Sequence, residues 1–127
     1  MASTQNLAIG IDLEDVKRFS KFVRIRNKKS SKNFLSKVYT KKELDYCFSK
    51  PKPSQHLAAR FCAKEAIIKA FLSKGKKIAQ TDIEILNDKI GVPKAKILNK
   101  KLAKTKILLS LSHSNDEAAA FVICIFS

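Results

Sequence analysis

Apolar residues along this chain keep two rhythms, and the changes between them mark out its elements. Residues 7–13 form an apolar run with Asp12 near its end, which predicts a buried strand. Gly10 within it suggests close approach of another backbone. Val16, Phe19, Phe22 and Val23 then recur at helical spacing behind Glu14 and Asp15, acids that suit the positive end of a helix dipole. Phe34, Leu35 and Val38 recur likewise, with residues 27–32 reading as a mobile loop between helices. Thr40 and Glu43 have the spacing of a capping box and predict a short helix over 41–48. Pro51 and Pro53 break the chain. Ser54 is placed to cap a long helix from 55 to about 72, which Gly75 ends.

The last third has the rhythm of strands. Ile83 and Ile85 alternate with Asp82 and Glu84 over 81–86, Asn87-Asp88-Lys89 is turn material, and Gly91-Val92-Pro93 leads to a short strand over 95–98. Apolar runs at 106–112 and 118–126, separated by His113-Ser114-Asn115-Asp116, predict a hairpin at the core of a sheet. The expected class is α+β in one domain spanning 1–127: an initial strand, about three helices, then an antiparallel sheet.

One stretch departs from amphipathic patterning. In Arg60-Phe61-Cys62-Ala63-Lys64-Glu65-Ala66-Ile67-Ile68-Lys69-Ala70, Glu65 and Lys69 share a helix face among residues that leave almost no polar side for water. Such a helix is expected to be buried or covered by a partner, with something charged docking beside it. The plainer reading of Glu65 and Lys69 is a solvated pair worth a few tenths of a kcal/mol.

Charge narrows the partner. Lys and Arg number 26 against 11 Asp and Glu, a net +15, which points to nucleic acid, a phosphorylated ligand, an acidic protein or an anionic membrane surface. The basic run from Lys21 to Lys42 reads as a docking surface, or more plainly as a solvated basic face. Cys47, Cys62 and Cys124 have no metal-site spacing and only His56 and His113 for company, so a structural zinc is not expected and a reducing, cytoplasmic setting is. The run 118–126 is too short to span a bilayer as a helix, and the first six residues show no secretory leader.

No glycine-rich dinucleotide motif, Walker phosphate loop or Cys–His nucleophile pair is present. Asp12 and Glu65 stand as two carboxylates in apolar settings, the number Mg²⁺ usually takes from protein when substrate phosphates and water complete its shell. Asp12 also suits a helix cap. Lysines nearby would neutralise phosphate charge, and His113 could donate to a phosphate or to backbone. The residues alone lead to a possible Mg²⁺-phosphate site on an α+β domain.

Gly10-Ile11-Asp12-Leu13-Glu14-Asp15-Val16-Lys17-Arg18-Phe19 resembles the opening motif of holo-acyl-carrier-protein synthases, the small trimeric class of 4′-phosphopantetheinyl transferases. The segment Arg60 to Ala70 resembles that family's second motif. Ser110-Leu111-Ser112-His113-Ser114, with Ala118-Ala119-Ala120-Phe121-Val122, resembles its third. The likeness covers essentially the whole chain. It implies a 4′-phosphopantetheinyl transferase-like fold and a Mg²⁺-dependent transfer of phosphopantetheine from coenzyme A to a serine of apo-acyl carrier protein. It further implies a homotrimer with active sites between subunits.

The family's roles fall position by position. Asp12 and Glu65 match its Mg²⁺ ligands, and Lys69 matches the lysine on the pyrophosphate that assists the leaving group. Lys64 matches the lysine before the metal glutamate and is expected to bind coenzyme A, Arg60 matches an arginine near the nucleotide, and His113 matches the histidine on the 3′-phosphate. Arg18 matches an arginine that pairs with acidic carrier residues, with Arg24 as a looser candidate. One departure follows Ala70, where Phe71-Leu72-Ser73-Lys74-Gly75 replaces a Gly-Thr-Gly turn; Ser73 and Lys74 are the expected phosphate contacts in its place. The rivals are a family member that binds coenzyme A without catalysis, and a basic nucleic-acid-binding module. The second is disfavoured by the absence of Trp, the presence of only two Tyr, and the lack of aromatic-basic alternation.

Overall fold

The computed structural model describes residues 4–127. Among these residues the order is β1 (Leu7–Asp15), α1 (Lys17–Arg24), α2 (Lys29–Val38), α3 (Lys41–Phe48), α4 (Pro53–Leu72), β2 (Ile83–Asn87), β3 (Pro93–Ile97), β4 (Lys106–His113) and β5 (Glu117–Ile125). The class is α+β, as expected. β5 pairs antiparallel with β1 on one side and β4 on the other, while β2 and β3 form a separate antiparallel ladder.

α4 is the axis of the packing. Two apolar clusters lie on its two sides. One joins Cys62, Ala63, Ala66, Ile67, Ala70 and Phe71 to the sheet (Ala8, Ala120, Val122, Cys124) and to Ile83 and Ile85 of β2. The other joins Leu57, Ala58, Ala59 and Phe61 to Phe19 of α1, Leu35 and Val38 of α2 and Cys47 of α3. Fully buried Phe19, Leu57, Ile67 and Phe71 contribute about 1.5–3 kcal/mol each. Of the two expectations for this helix, burial or a covering partner, burial holds, because its own chain surrounds it. Its small residues permit this. A Cβ on Gly10 would stand 1.8 Å from the carbonyl oxygen of Ala66, so β1 and α4 touch backbone to backbone and only glycine fits.

The uncovered apolar surface lies on the sheet instead. Strand alternation turns Ala8, Gly10, Asp12 and Glu14 toward α4 and leaves Ile9, Ile11 and Leu13 66, 65 and 63 % exposed on the outer face. Ile11 is opposite Phe121, and Ile9 opposite Ile123, which is opposite Leu108 in turn, so the outer faces of three strands form one apolar surface. The apolar run predicts a β1 buried on both faces; within one chain it is buried on one.

Two local expectations change. α2 begins at Lys29, so the loop expected over 27–32 is mostly helix, drawn in by Ser31 and Leu35, which are buried. α4 starts at Pro53 rather than after Ser54, since proline at a first helical position loses no bond the helix would have made. Its end is a Schellman turn: Lys76 N–H donates to Phe71 O at 3.0 Å, Gly75 N–H to Leu72 O at 2.9 Å, and Gly75 takes φ +69°. Thr40 and Glu43 do form the capping box.

Candidate active site

Asp12 faces inward from β1 near α4. Lys69, on that helix, brings its Nζ to 3.1 Å from Asp12 Oδ1 and 3.0 Å from Ile11 O. The Asp12 side chain is 10 % exposed and that of Lys69 55 %, so a buried carboxylate meets a cation reaching in from solvent. Asp12 Oδ2 is buried with no hydrogen-bond partner among the described residues. An unsatisfied buried carboxylate oxygen is costly, and it is the donor a hard cation takes. Glu65, half-buried on α4, accepts from Gln80 Nε2 at 2.7 Å through Oε1. The described residues hold no cluster of three or more metal-ligating side chains, which fits a cation that draws the rest of its shell from phosphate and water.

A third carboxyl, which sequence patterning marks only as a helix-dipole acid, stands beside Asp12. Burial pushes Glu14 up to about 7, and the neighbouring Asp12 carboxylate pushes the same way, against the opposing pull of Arg18. Near neutral pH a protonated Glu14 offers an O–H donor next to the unsatisfied Asp12 oxygen. Arg18 NH1 donates to Glu14 Oε1 at 2.7 Å while its guanidinium lies 5.1 Å from the Phe61 ring, and its side chain remains 51 % exposed. Arg24 is exposed in the last turn of α1. Cys62, behind the site, donates its thiol to Asp12 O at 3.0 Å; burial, then the Asp12 charge, pushes it up to about 12, so it stays protonated.

A cavity of about 180 Å³ opens between α3, α4, β3 and β4, lined by Arg60 and His113 together with Tyr46, His56, Asn87 and Pro93. Arg60 is held from three sides: Nε donates to Ile85 O at 3.1 Å, NH2 to Asn87 Oδ1 at 3.4 Å, and the guanidinium lies 4.1 Å from the Tyr46 ring centroid. These contacts fix its charge against the cavity wall. No sequence signal singles out Tyr46, His56 and Asn87, because they come from separate elements and belong to no motif.

Lys64 is elsewhere. Its side chain is fully buried, with Nζ 2.6 Å from Glu43 Oε1 and 2.6 Å from Val38 O. Glu43 Oε2 accepts from Ile85 N at 2.7 Å, so this pair ties α3, α4 and β2 together. The expectation that Lys64 binds coenzyme A is corrected: its ammonium is enclosed by protein and paired with Glu43, and Lys64 is not among the residues lining the cavity. Ser73 likewise donates to Ala70 O at 2.6 Å inside the helix end, while Lys74 is exposed.

Residues 8–124 match the profile of the family described as the 4′-phosphopantetheinyl transferase superfamily. The chain is 40 % identical over 123 residues to a holo-(acyl-carrier-protein) synthase of Protochlamydia amoebophila, covering 92 % of this chain and 96 % of that one. It is 42 % identical over 117 residues to one of Thermodesulfovibrio yellowstonii, covering 91 % and 95 %. Among solved structures, a Bacillus anthracis holo-(acyl-carrier-protein) synthase in complex with CoA (3′,5′-ADP) superposes with a TM-score of 0.74 at 28 % identity, covering 94 % of this chain and 96 % of that one. The Helicobacter pylori synthase in complex with coenzyme A gives 0.73 at 27 % identity, covering 94 % and 99 %.

Proposed function

The chain belongs to the 4′-phosphopantetheinyl transferase superfamily, and on that premise we propose how its residues divide a holo-acyl-carrier-protein synthase reaction. The chain moves 4′-phosphopantetheine from coenzyme A to a serine of apo-acyl carrier protein. A bond forms between the serine oxygen and the β-phosphorus as the serine O–H proton passes to a carboxylate or a water, and the pyrophosphate P–O bond breaks to release adenosine 3′,5′-bisphosphate. The observation that carries the assignment of roles is the Asp12–Lys69 contact, in which a buried carboxylate meets a part-exposed cation.

Asp12 and Glu65 hold a divalent cation, Mg²⁺ in the first instance; when bound, it neutralises pyrophosphate charge. Lys69 swings from Asp12 onto the pyrophosphate and stabilises the charge that grows on the leaving group. Arg60 and His113 hold the nucleotide in the cavity between them. The α1 surface, with Arg18 and Arg24 exposed, receives the acidic carrier, which gives the +15 charge a partner of the right sign. Three buried, unpaired cysteines suit a reducing cytoplasm, and no described helix is long and apolar enough to cross a membrane.

The same reading makes residues 1–127 one transferase domain working as a homotrimer. Its support is the exposed outer face of β1, where Ile11 and Leu13 flank Asp12 on the opposite side of the strand. A second copy covering that face would bring coenzyme A to the edge of Asp12 with part of its grip supplied by a neighbour.

Incubation with apo-carrier protein, coenzyme A and Mg²⁺, followed by intact mass, tests the reaction. A phosphopantetheine-sized increase that disappears in Glu65→Gln is expected. Coenzyme A binding without any mass increase would favour a binding protein that has lost catalysis.

A further inference from the structure

The cavity that holds Arg60 and His113 also holds a second imidazole. His56 is one helical turn before Arg60 on α4, its ring centroid 5.8 Å from that of His113 at 63° and 5.6 Å from Tyr46 at 82°. Neither imidazole makes a hydrogen bond among the described residues, so both keep their ring nitrogens for a ligand. Arg60 is buried and fixed at the same wall. No carboxylate lines the cavity. The cavity thus gathers one fixed positive charge and two imidazoles able to gain one, with no anion beside them.

The shape of that anion follows from the donors. Two imidazoles and a guanidinium on different sides of a small space suit a tetrahedral group with several free oxygens, better than a flat carboxylate gripped from one side. Coenzyme A carries one phosphate monoester, on the ribose 3′ oxygen, and only a monoester offers three free oxygens. We propose that His56 is a binding residue for the 3′-phosphate of coenzyme A, closing with His113 and Arg60 a subsite for a phosphate monoester dianion. This rests on the cavity being the nucleotide pocket, as proposed above.

The surroundings of His56 give the subsite a pH dependence. Burial first, then the charges of Arg60, His113 and Lys50, hold its imidazole below the ordinary histidine value, and no carboxylate lines the cavity beside it. His56 is therefore neutral in the free chain near pH 7. A dianion offsets those positive neighbours and draws a proton onto His56, so binding takes up a proton and weakens as pH rises.

Calorimetric titration of the whole protein with coenzyme A and with dephospho-coenzyme A, which lacks only the 3′-phosphate, tests this. His56→Phe is expected to lose roughly tenfold for coenzyme A and less than about twofold for dephospho-coenzyme A. Its affinity for coenzyme A is also expected to depend less on pH than wild type between about 6.5 and 8. His56→Gln, which keeps a polar side chain against Tyr46, should show the same preference. If His113→Ala discriminates between the two ligands and neither His56 variant does, His56 is not part of the subsite and the cavity remains the nucleotide pocket. If no variant discriminates, the 3′-phosphate binds elsewhere, and both readings fall. Equal losses for both ligands in both His56 variants would also overturn the proposal, since only packing would then have been lost.

Discussion

Lys69 Nζ and Asp12 Oδ1, 3.1 Å apart, form an ion pair across the contact of β1 with α4. The lysine is the more exposed partner and the aspartate retains an unsatisfied buried oxygen, so the pair is built to open from one side. On the proposed role of Asp12, a divalent cation arriving without coenzyme A would have to compete with the lysine for it.

Lys69→Met therefore has two effects of opposite direction. Affinity for Mn²⁺ without coenzyme A should rise about two- to fivefold, the worth of a part-exposed ion pair. The transfer rate should fall by about 10² for loss of one charge-stabilising group. Paramagnetic titration with Mn²⁺ and initial rates read the two separately, and weaker Mn²⁺ binding in the variant would contradict the competition.

Glu14 sets a second expectation. Its folded carboxyl is raised to about 7 from 4.5, so between those values the folded chain keeps a proton that the unfolded chain has lost. Stability from this group is complete below pH 4.5 and declines as pH rises through about 7. Glu14→Gln removes the decline. Urea midpoints at pH 5 and pH 8 should move less in the variant than in wild type. A cation on Asp12 also displaces that proton, so Mg²⁺ binding near neutral pH should release protons, measurable as a buffer-dependent heat.

The enclosed pair Lys64–Glu43 carries structural consequences only. Lys64→Met leaves a buried carboxylate without its counter-charge and should cost about 3–5 kcal/mol. The double variant Lys64→Met, Glu43→Leu should recover part of that loss in chemical denaturation. Full recovery is not expected, because Glu43 also accepts from Ile85 N and Thr40 N.

Ile11 and Phe121, opposite each other on the outer sheet face, test the assembly. Both are on the surface of the single chain, so Ile11→Lys with Phe121→Glu should change its stability little. On the proposed assembly, light scattering should then report a monomer in place of a trimer, and transfer should be lost. An active monomer would separate the apolar face from catalysis.

Much of the fold and part of the site are legible in the order of residues alone. Gly10 signals a backbone contact because few other needs place glycine in a strand, and Thr40 with Glu43 signals a cap because capping is local. The paired strands over 106–112 and 118–126 follow from their apolar runs and the polar turn between them. What local pattern does not carry is which face of an element its own chain covers. The apolar surround of Glu65 fits burial and a covering partner alike, and it is folding that covers Leu57, Ile67 and Phe71 internally, while Ile9 and Ile11, expected in the core, are exposed. Lys64 and Lys69 are five residues apart and look alike in sequence; only their partners, Glu43 and Asp12, separate an interior tie from a reaching cation. His56 and Tyr46 match no motif, and the chain has to fold before they meet.

The contact of Gly10 with Ala66 bears on how the site can move. With backbone against backbone there is no layer of side chains to shear, and the strand and helix cannot slide without breaking that seat. Asp12 lies two residues from one side of it and Glu65 next to the other. The span between the two carboxylates is thus held by main chain, like the fixed jaw of a vice. Adjustment during a catalytic cycle falls to what is free to swing: the Lys69 side chain within, and whatever closes over the outer edge.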